Sequence, residues 1–268
     1  MILITSAIGV LGMIVLPILL GFWLTRKFKL SWKLFLAGAV TFIASQVLHI
    51  PLLVWLTVMF NDGTLPSPPE AWNTIFNAVL LGLLAGIFEE TSRYVLYKVF
   101  LKKANTWNEG VLVGAGHGGT EAIILGVMSI FTLINMFVMR NADLSTMGIP
   151  ASQLELVKQQ VTEFWSSPAY AGFLGLLERV FAICLHLSLS IMVLYSVVYK
   201  KPVWFWAALL WHAIVDASAV YLMPLIGALG IESVVAVMAL VSLAILFGLR
   251  SKFVSLASPE VNVEPPSA

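Results

Sequence analysis

Apolar residues run in blocks of about 20 along nearly the whole chain, and short polar or turn-rich segments separate them. An α-helix needs about 20 such residues to cross the hydrocarbon core of a bilayer, so each block predicts a membrane-spanning helix. Seven are expected, over residues 2–25, 34–60, 72–97, 110–139, 169–199, 203–222 and 232–249. Asn61, Asp62 and Gly63, followed by Pro66, Pro68 and Pro69, supply turn chemistry between the second and third. Residues 150–165 follow a different pattern. There Leu154, Val157, Val161 and Phe164 recur at helical spacing opposite Glu155, Lys158, Gln159 and Glu163, which predicts an interfacial amphipathic helix behind Pro150. A surface lid without a role accounts for that helix as well as a substrate-guiding one does. The tail, residues 253–268, has little to bury and reads as disordered. No domain boundary or internal repeat is visible, so the chain reads as one transmembrane domain, residues 1–268, with its polar motifs within 72–220.

Composition sharpens the class. Of 268 residues 60% are apolar and 11% charged, which excludes an ordinary soluble domain and fits an all-α, polytopic membrane helical bundle. The net charge of +1, with no basic block outside short loops, offers no footprint for nucleic acid. A single cysteine, Cys184, makes no disulfide framework. The first span has no charged leader and no cleavage site before Arg26, so it reads as a retained helix. Cytoplasmic loops retain Lys and Arg. With the N-terminus outside, the inner loops hold Arg26, Lys27, Lys29, Lys33, Lys98, Lys102, Lys103, Lys200, Lys201, Arg250 and Lys252, against Arg140 and Lys158 outside. The expected topology is N-out and C-in.

Ionisable side chains inside a bilayer cost free energy unless they face partners or water. Glu89, Glu90 and Arg93 stand in the third span, His117 and Glu121 in the fourth, Glu178, Arg179 and His186 in the fifth, and His212 and Asp216 in the sixth. The first and seventh spans read as apolar at their cores. At ~1.5 Å per residue, Glu89, His117 and Glu121 lie roughly 5–11 Å to the cytoplasmic side of their span centres, and His186 and His212 near the midplane. One shared depth on four helices predicts one buried site with Glu89, His117, His186 and His212 facing it. Glu89 and Arg93, His117 and Glu121, and His212 and Asp216 are each four apart, so each pair shares a helix face and one member could orient the other. The glycines around His117 suit a close backbone approach.

Five intramembrane acids against two arginines leave an excess of three negative charges, so protonation or a bound cation has to offset it. Either outcome suits a site: a carboxylate can serve as general base, and histidines with carboxylates suit zinc. Other positions carry less. His49 precedes Pro51, whose missing N–H frees a carbonyl that the imidazole could satisfy, so a structural role is expected. Glu178 and Arg179 read as pairing with neighbours. Ser188 and Ser190 lack a nucleophile elbow, and no H-E-x-x-H is present.

The set E-E-x-x-R at Glu89, Glu90 and Arg93, G-H-G-G-x-E from Gly116 to Glu121, His186, and H-x-x-x-D at His212 and Asp216 resembles the YhfC-type family of membrane peptidases. That family is grouped with the CAAX-processing and bacteriocin-processing (CPBP) proteases and the PrsW proteases. The resemblance covers roughly 72–220. It implies that Glu89 is the general base, that Glu90 and Arg93 support it, and that His212 and Asp216 position or stabilise the reacting carbonyl. Relatives carry F-x-x-x-H or F-x-x-x-E at the second motif, whereas Val113 stands four before His117 here, so either His117 or Glu121 is the counterpart. The arginine also follows the glutamates by one residue fewer than in the CAAX-processing type.

The leading expectation is an intramembrane endopeptidase of the bacterial cytoplasmic membrane, acting on membrane proteins or lipidated peptides. Glu89 would activate water, while His212, with His117 or His186, would stabilise the oxyanion. Zinc held by His117, Glu121, His186 or His212 is one version, and a metal-free glutamate mechanism is slightly preferred because the ligand set is not uniquely encoded. A proton-coupled or ion transporter is the alternative, since buried acids and histidines also mark ion pathways. A non-catalytic scaffold would keep the fold without needing Glu89.

Overall fold

The computed structural model describes residues 1–254, and they contain helices and no strand. The elements are α1 (Ile2–Phe28), α2 (Trp32–Asn61), α3 (Asn73–Val95), α4 (Trp107–Met139), α5 (Ala151–Ser166), α6 (Leu174–Val198) and α7 (Val203–Val254). All but α5 fall within the six stretches long and apolar enough to cross a membrane. A π turn, Leu96–Phe100, closes α3, and a 3-10 turn, Ala169–Phe173, leads into α6.

Local sequence fixes the helix starts. Ser31 accepts from the N–H of Lys33 to cap α2, and Thr106 with Glu109 forms a reciprocal capping box at α4. α7 contains both the sixth and seventh expected spans. Its helix continues past the expected end at residue 222 and breaks at Gly227, where φ of 69° and ψ of 178° suit a residue without a side chain. Trp211 Nε1 donates to Ser242 Oγ at 2.9 Å, although 31 residues separate them. A straight helix of that length would hold them roughly 46 Å apart. The two arms of α7 therefore run back alongside each other as a hairpin. Its far end is tied down by Trp107, whose Nε1 donates to the carbonyl of Leu246 at 2.9 Å. Phe253, expected in the disordered tail, is buried against Tyr195 and Tyr199. The rest of that tail, residues 255–268, lies outside the described residues.

Helices α4, α6, α7, α3 and α2 contact one another in that order, and α2 returns to α4, so five helices close a ring. α1 lies outside it against α4. Lipid provides no hydrophobic drive between spans, so association depends on close packing. Gly116 of α4 meets the Phe35 carbonyl of α2 so closely that a Cβ there would overlap it, and Gly38 meets the carbonyl of Val113 in the same way. This contact brings the polar face of α4 to the ring's centre. Facing outward, Leu11, Leu19, Val47, Phe131 and Leu240 are exposed, as lipid contact requires. The amphipathic helix expected at 150–165 is α5, where Val161 is buried and Trp165 Nε1 donates to the Met136 carbonyl at 3.0 Å.

Candidate active site

All eight residues singled out in the sequence meet inside the ring, but they pair mainly between helices. Glu89 Oε2 lies 2.9 Å from His117 Nε2 and 3.9 Å from His212 Nε2. Its Oε1 accepts from Gln46 Nε2 at 3.3 Å. Across the ring, the imidazoles of His117 and His186 are 5.1 Å apart and those of His186 and His212 5.4 Å. The expected orientation of His117 by Glu121 does not occur. Instead Thr41 Oγ1 lies 2.8 Å from His117 Nδ1, while Glu121 turns to His186 and Arg179. The reason is geometric: Gly118 presents no side chain to the ring of His186, where a Cβ would come within 2.7 Å of its Cδ2. His186 can therefore lie over α4 between His117 and Glu121.

Proton positions follow from the partners. Arg93 can only donate. Its Nη2 stands 2.7 Å from His186 Nδ1, so that nitrogen accepts, and the neutral ring's proton sits on Nε2, which donates to Glu121 Oε2 at 2.5 Å. Arg93 also pairs with Glu90 through Nη1, more closely than with Glu89 at 3.9 Å. Glu90 Oε1 in turn lies 2.7 Å from His212 Nδ1. A carboxylate at that position holds the proton on Nδ1 and leaves the Nε2 lone pair free. That lone pair stands among carboxylate oxygens, 3.9 Å from Glu89 Oε2 and 3.5 Å from Asp216 Oδ2. Glu178 and Arg179 belong to the same assembly, because Arg179 bridges Glu121 and Glu178 at 2.5 Å each and both residues line the cavities described below.

Fitness for a metal ion can be judged from this donor set. Among the described residues, one ligand atom each from Glu89, His186 and His212 lies within 4.8 Å of the others. Ligands 2.0–2.1 Å from a tetrahedral zinc are roughly 3.3 Å apart, so small shifts would close the group around an ion. His212, with Nδ1 held by Glu90, has the carboxylate-oriented form that metal-binding imidazoles adopt. His186 would have to exchange its bond to Arg93 or to Glu121 for the ion. The group differs from the expected His117, Glu121, His186 and His212 because Thr41 with Glu89 engages His117, and Arg179 with His186 engages Glu121.

Two cavities meet at these residues. A chamber of about 80 Å³ is lined by Glu89, Glu121, Arg179, His186, His212 and Asp216. A water molecule needs roughly 10–15 Å³ on this measure, so a few fit. A groove of about 820 Å³ lies alongside, lined by Glu89, Glu121 and Asp216 together with Phe42, Ile43 and Met128. Ile43, Val47, Ile50 and Met128 on its rim are exposed on the membrane-facing surface.

The sequence reading missed Thr41 and Gln46. Their signal was present as uncharged polar residues, with Ser45, inside an apolar span. It also missed Glu232, buried at the start of the second arm of α7 with Oε2 unpartnered.

Comparison with known proteins finds sequence similarity to membrane proteins. The model of a family described as "YhfC intramembrane metalloprotease" matches residues 12–246. "Uncharacterized membrane protein YhfC" of Bacillus subtilis (strain 168) is 33% identical over 208 residues, covering 76% of this chain and 79% of that protein. No solved structure matches.

Proposed function

Because the chain belongs to the YhfC intramembrane metalloprotease family, we propose that it is an intramembrane endopeptidase that hydrolyses peptide bonds of membrane-embedded substrates at Glu89. The observation that carries this reading is that Glu89 borders both a polar chamber large enough for water and an apolar groove open to lipid. A hydrolase working inside a bilayer must bring those two reactants to one base.

The residues divide the work as follows. Water in the chamber loses a proton to Glu89, whose carboxylate is held in place by Gln46 on one oxygen and His117 on the other. His117, fixed by Thr41, is placed to carry that proton toward the departing amine. His212, held by Glu90 through Nδ1, turns its Nε2 lone pair toward the chamber from α7, and Arg93 ties Glu90 and His186 together. The donors that would hold a zinc-like ion are Glu89, His186 and His212, with Glu89 keeping one oxygen for the proton. Such an ion supplies Lewis acidity toward water and carbonyl. The family description and the orientation of His212 weigh toward this version over the metal-free one.

The test is hydrolysis by the purified full-length chain in liposomes, using a library of single-span peptides in water enriched in oxygen-18. New carboxyl termini carrying one oxygen-18 are expected, with cleavage lost on chelation and restored by zinc. A folded protein that cleaves no member of the library would overturn the proposal, and cleavage indifferent to chelation would remove the metal from it.

A further inference from the structure

Between α2 and α3 lies a further cavity, of about 370 Å³, that shares no lining residue with the groove beside Glu89. Val40, Leu48, Ile87, Val95 and, at one end, Phe100 border it and are exposed, so it opens to lipid. Ala44 and Thr91 are too small to fill the hollow between these larger side chains. Phe88 in its wall is stacked on His49 with ring centroids 5.5 Å apart. The His49 ring makes no hydrogen bond, so the cap expected for the carbonyl freed by Pro51 does not form. Thr41 and Ser92 belong to the same wall, where Ser92 Oγ donates to the Thr41 carbonyl at 2.7 Å. Thr41 is also the residue that meets His117 Nδ1, so whatever fills this cavity packs against the support of the active site.

Length and charge select the occupant. The cavity runs along α2 from Val40 to Leu48, roughly 12 Å, and along α3 from Ile87 to Phe100, roughly 20 Å. The hydrocarbon of one leaflet is roughly 15 Å deep and that of the whole bilayer roughly 30 Å. A lipid chain from one leaflet therefore matches the cavity, and a spanning helix is about twice too long for it. The end at Phe100 is basic. α2 and α3 run antiparallel, with Gln46 beside Glu89 and Thr41 beside Ser92. Continuing that register eight residues from Thr41 to Lys33 brings Lys33 level with Phe100. Lys33 stands seven residues before Val40, on the same face of α2, and Lys102 and Lys103 follow Phe100 directly in the next loop. All three are exposed, and the first turn of α2 carries no acid to offset them. A zwitterionic headgroup gains little from such a mouth, whereas a lipid with net negative charge is attracted to it.

We propose that this cavity binds one anionic phospholipid, with an acyl chain lying along α2 and α3 and the phosphate resting among Lys33, Lys102 and Lys103. The chain fills the hollow behind Thr41 and braces α2 against α3, so the lipid helps to keep Thr41 on His117 and Gln46 on Glu89. The site is separate from the substrate groove, and binding there does not depend on the peptidase reading.

The experiment titrates the purified full-length protein in detergent with dioleoylphosphatidylglycerol, dioleoylphosphatidylcholine or glycerol phosphate and counts bound molecules by native mass spectrometry. Phosphatidylglycerol is expected to bind about tenfold more tightly than phosphatidylcholine, and glycerol phosphate, which has no chain, not to be retained. The combined Lys33→Gln, Lys102→Gln and Lys103→Gln changes should bring phosphatidylglycerol down to the level of phosphatidylcholine. Ala44→Phe, which puts a ring into the hollow, should weaken both lipids about tenfold. All four positions are exposed, so each protein should unfold, without lipid, at the wild-type temperature. Saturating phosphatidylglycerol should raise the unfolding temperature of the wild type but not that of the lysine variant. Equal affinity of the wild type for the two lipids, or phosphatidylglycerol binding unchanged in the lysine variant, would mean that the basic mouth recruits nothing. Binding unchanged in Ala44→Phe would place the lipid elsewhere, and glycerol phosphate held as tightly as phosphatidylglycerol would leave a headgroup site without a chain. Each of these results would overturn the proposal. If the wild type cleaves no peptide while phosphatidylglycerol binding still depends on the lysines and on Ala44, the hydrolytic reading fails and the lipid site stands.

Discussion

Arg93 is fully buried and reaches Glu90, Glu89 and His186 at once, so the removal of any one partner changes the charge balance of the whole cluster. Replacing Glu90 with Gln keeps its shape and an acceptor for Nδ1 of His212 but leaves the guanidinium without its nearest carboxylate. Breaking a buried pair in this way costs about 3–5 kcal/mol. The Glu90→Gln protein should therefore unfold at markedly lower temperature in detergent than the wild type, and an unchanged unfolding temperature would count against Glu90 as the charge partner of Arg93. At this scale the sequence showed which residues gather but not which of them pair. Spacing of four suggested Glu89 with Arg93 and His117 with Glu121. The structure prefers Glu90 with Arg93, one turn apart on α3, and between helices His117 with Glu89 and Glu121 with His186, because helix packing brings groups from other spans closer than the next turn of α4. Crossing partners of that kind leave no trace in local periodicity.

Helix positions, by contrast, were legible to within about five residues at their ends, since a run of apolar side chains about a bilayer in length leaves the backbone few options but to form a helix. The exception is α7, where an apolar stretch through Pro224 hid how far the helix continues before Gly227 reverses it. The close approach of α2 and α4 was legible only as an excess of glycine. Its consequence can be tested: Gly116→Ala would drive a Cβ into the Phe35 carbonyl and push α2 away, carrying Thr41 and Gln46 from His117 and Glu89. Such overpacking costs about 1–3 kcal/mol. Gly116→Ala should lower both unfolding temperature and cleavage, whereas Ala at Gly248, which meets nothing within 4 Å, should leave both unchanged. Equal behaviour of the two variants in both measurements would contradict the packing account.

For the molecule as a whole, the ring of five helices accounts for how charged groups persist among lipid-facing spans: they face one another and a small polar chamber, while large apolar side chains cover the outside. Common depth along four spans made that convergence readable from the sequence. The groove was not readable, because an opening between helices depends on how far they splay, which no single helix encodes. Cytoplasmic loops retain Lys and Arg, and the N-out, C-in orientation expected on that ground predicts that a Lys102→Cys protein in a Cys184→Ser background reacts with membrane-impermeant maleimide only from the cytoplasmic side, and Ser145→Cys only from outside. Reversed labelling would invert the assignment. The central claim is that Glu89 takes the proton of the attacking water, and it is tested most directly by the single-turnover cleavage rate of Glu89→Gln in liposomes. Loss of a positioned general base costs about 100-fold or more. The account predicts at least that fall in a protein that still folds and still binds a single-span peptide, whereas a Glu89→Gln protein cleaving within about tenfold of the wild-type rate would contradict it.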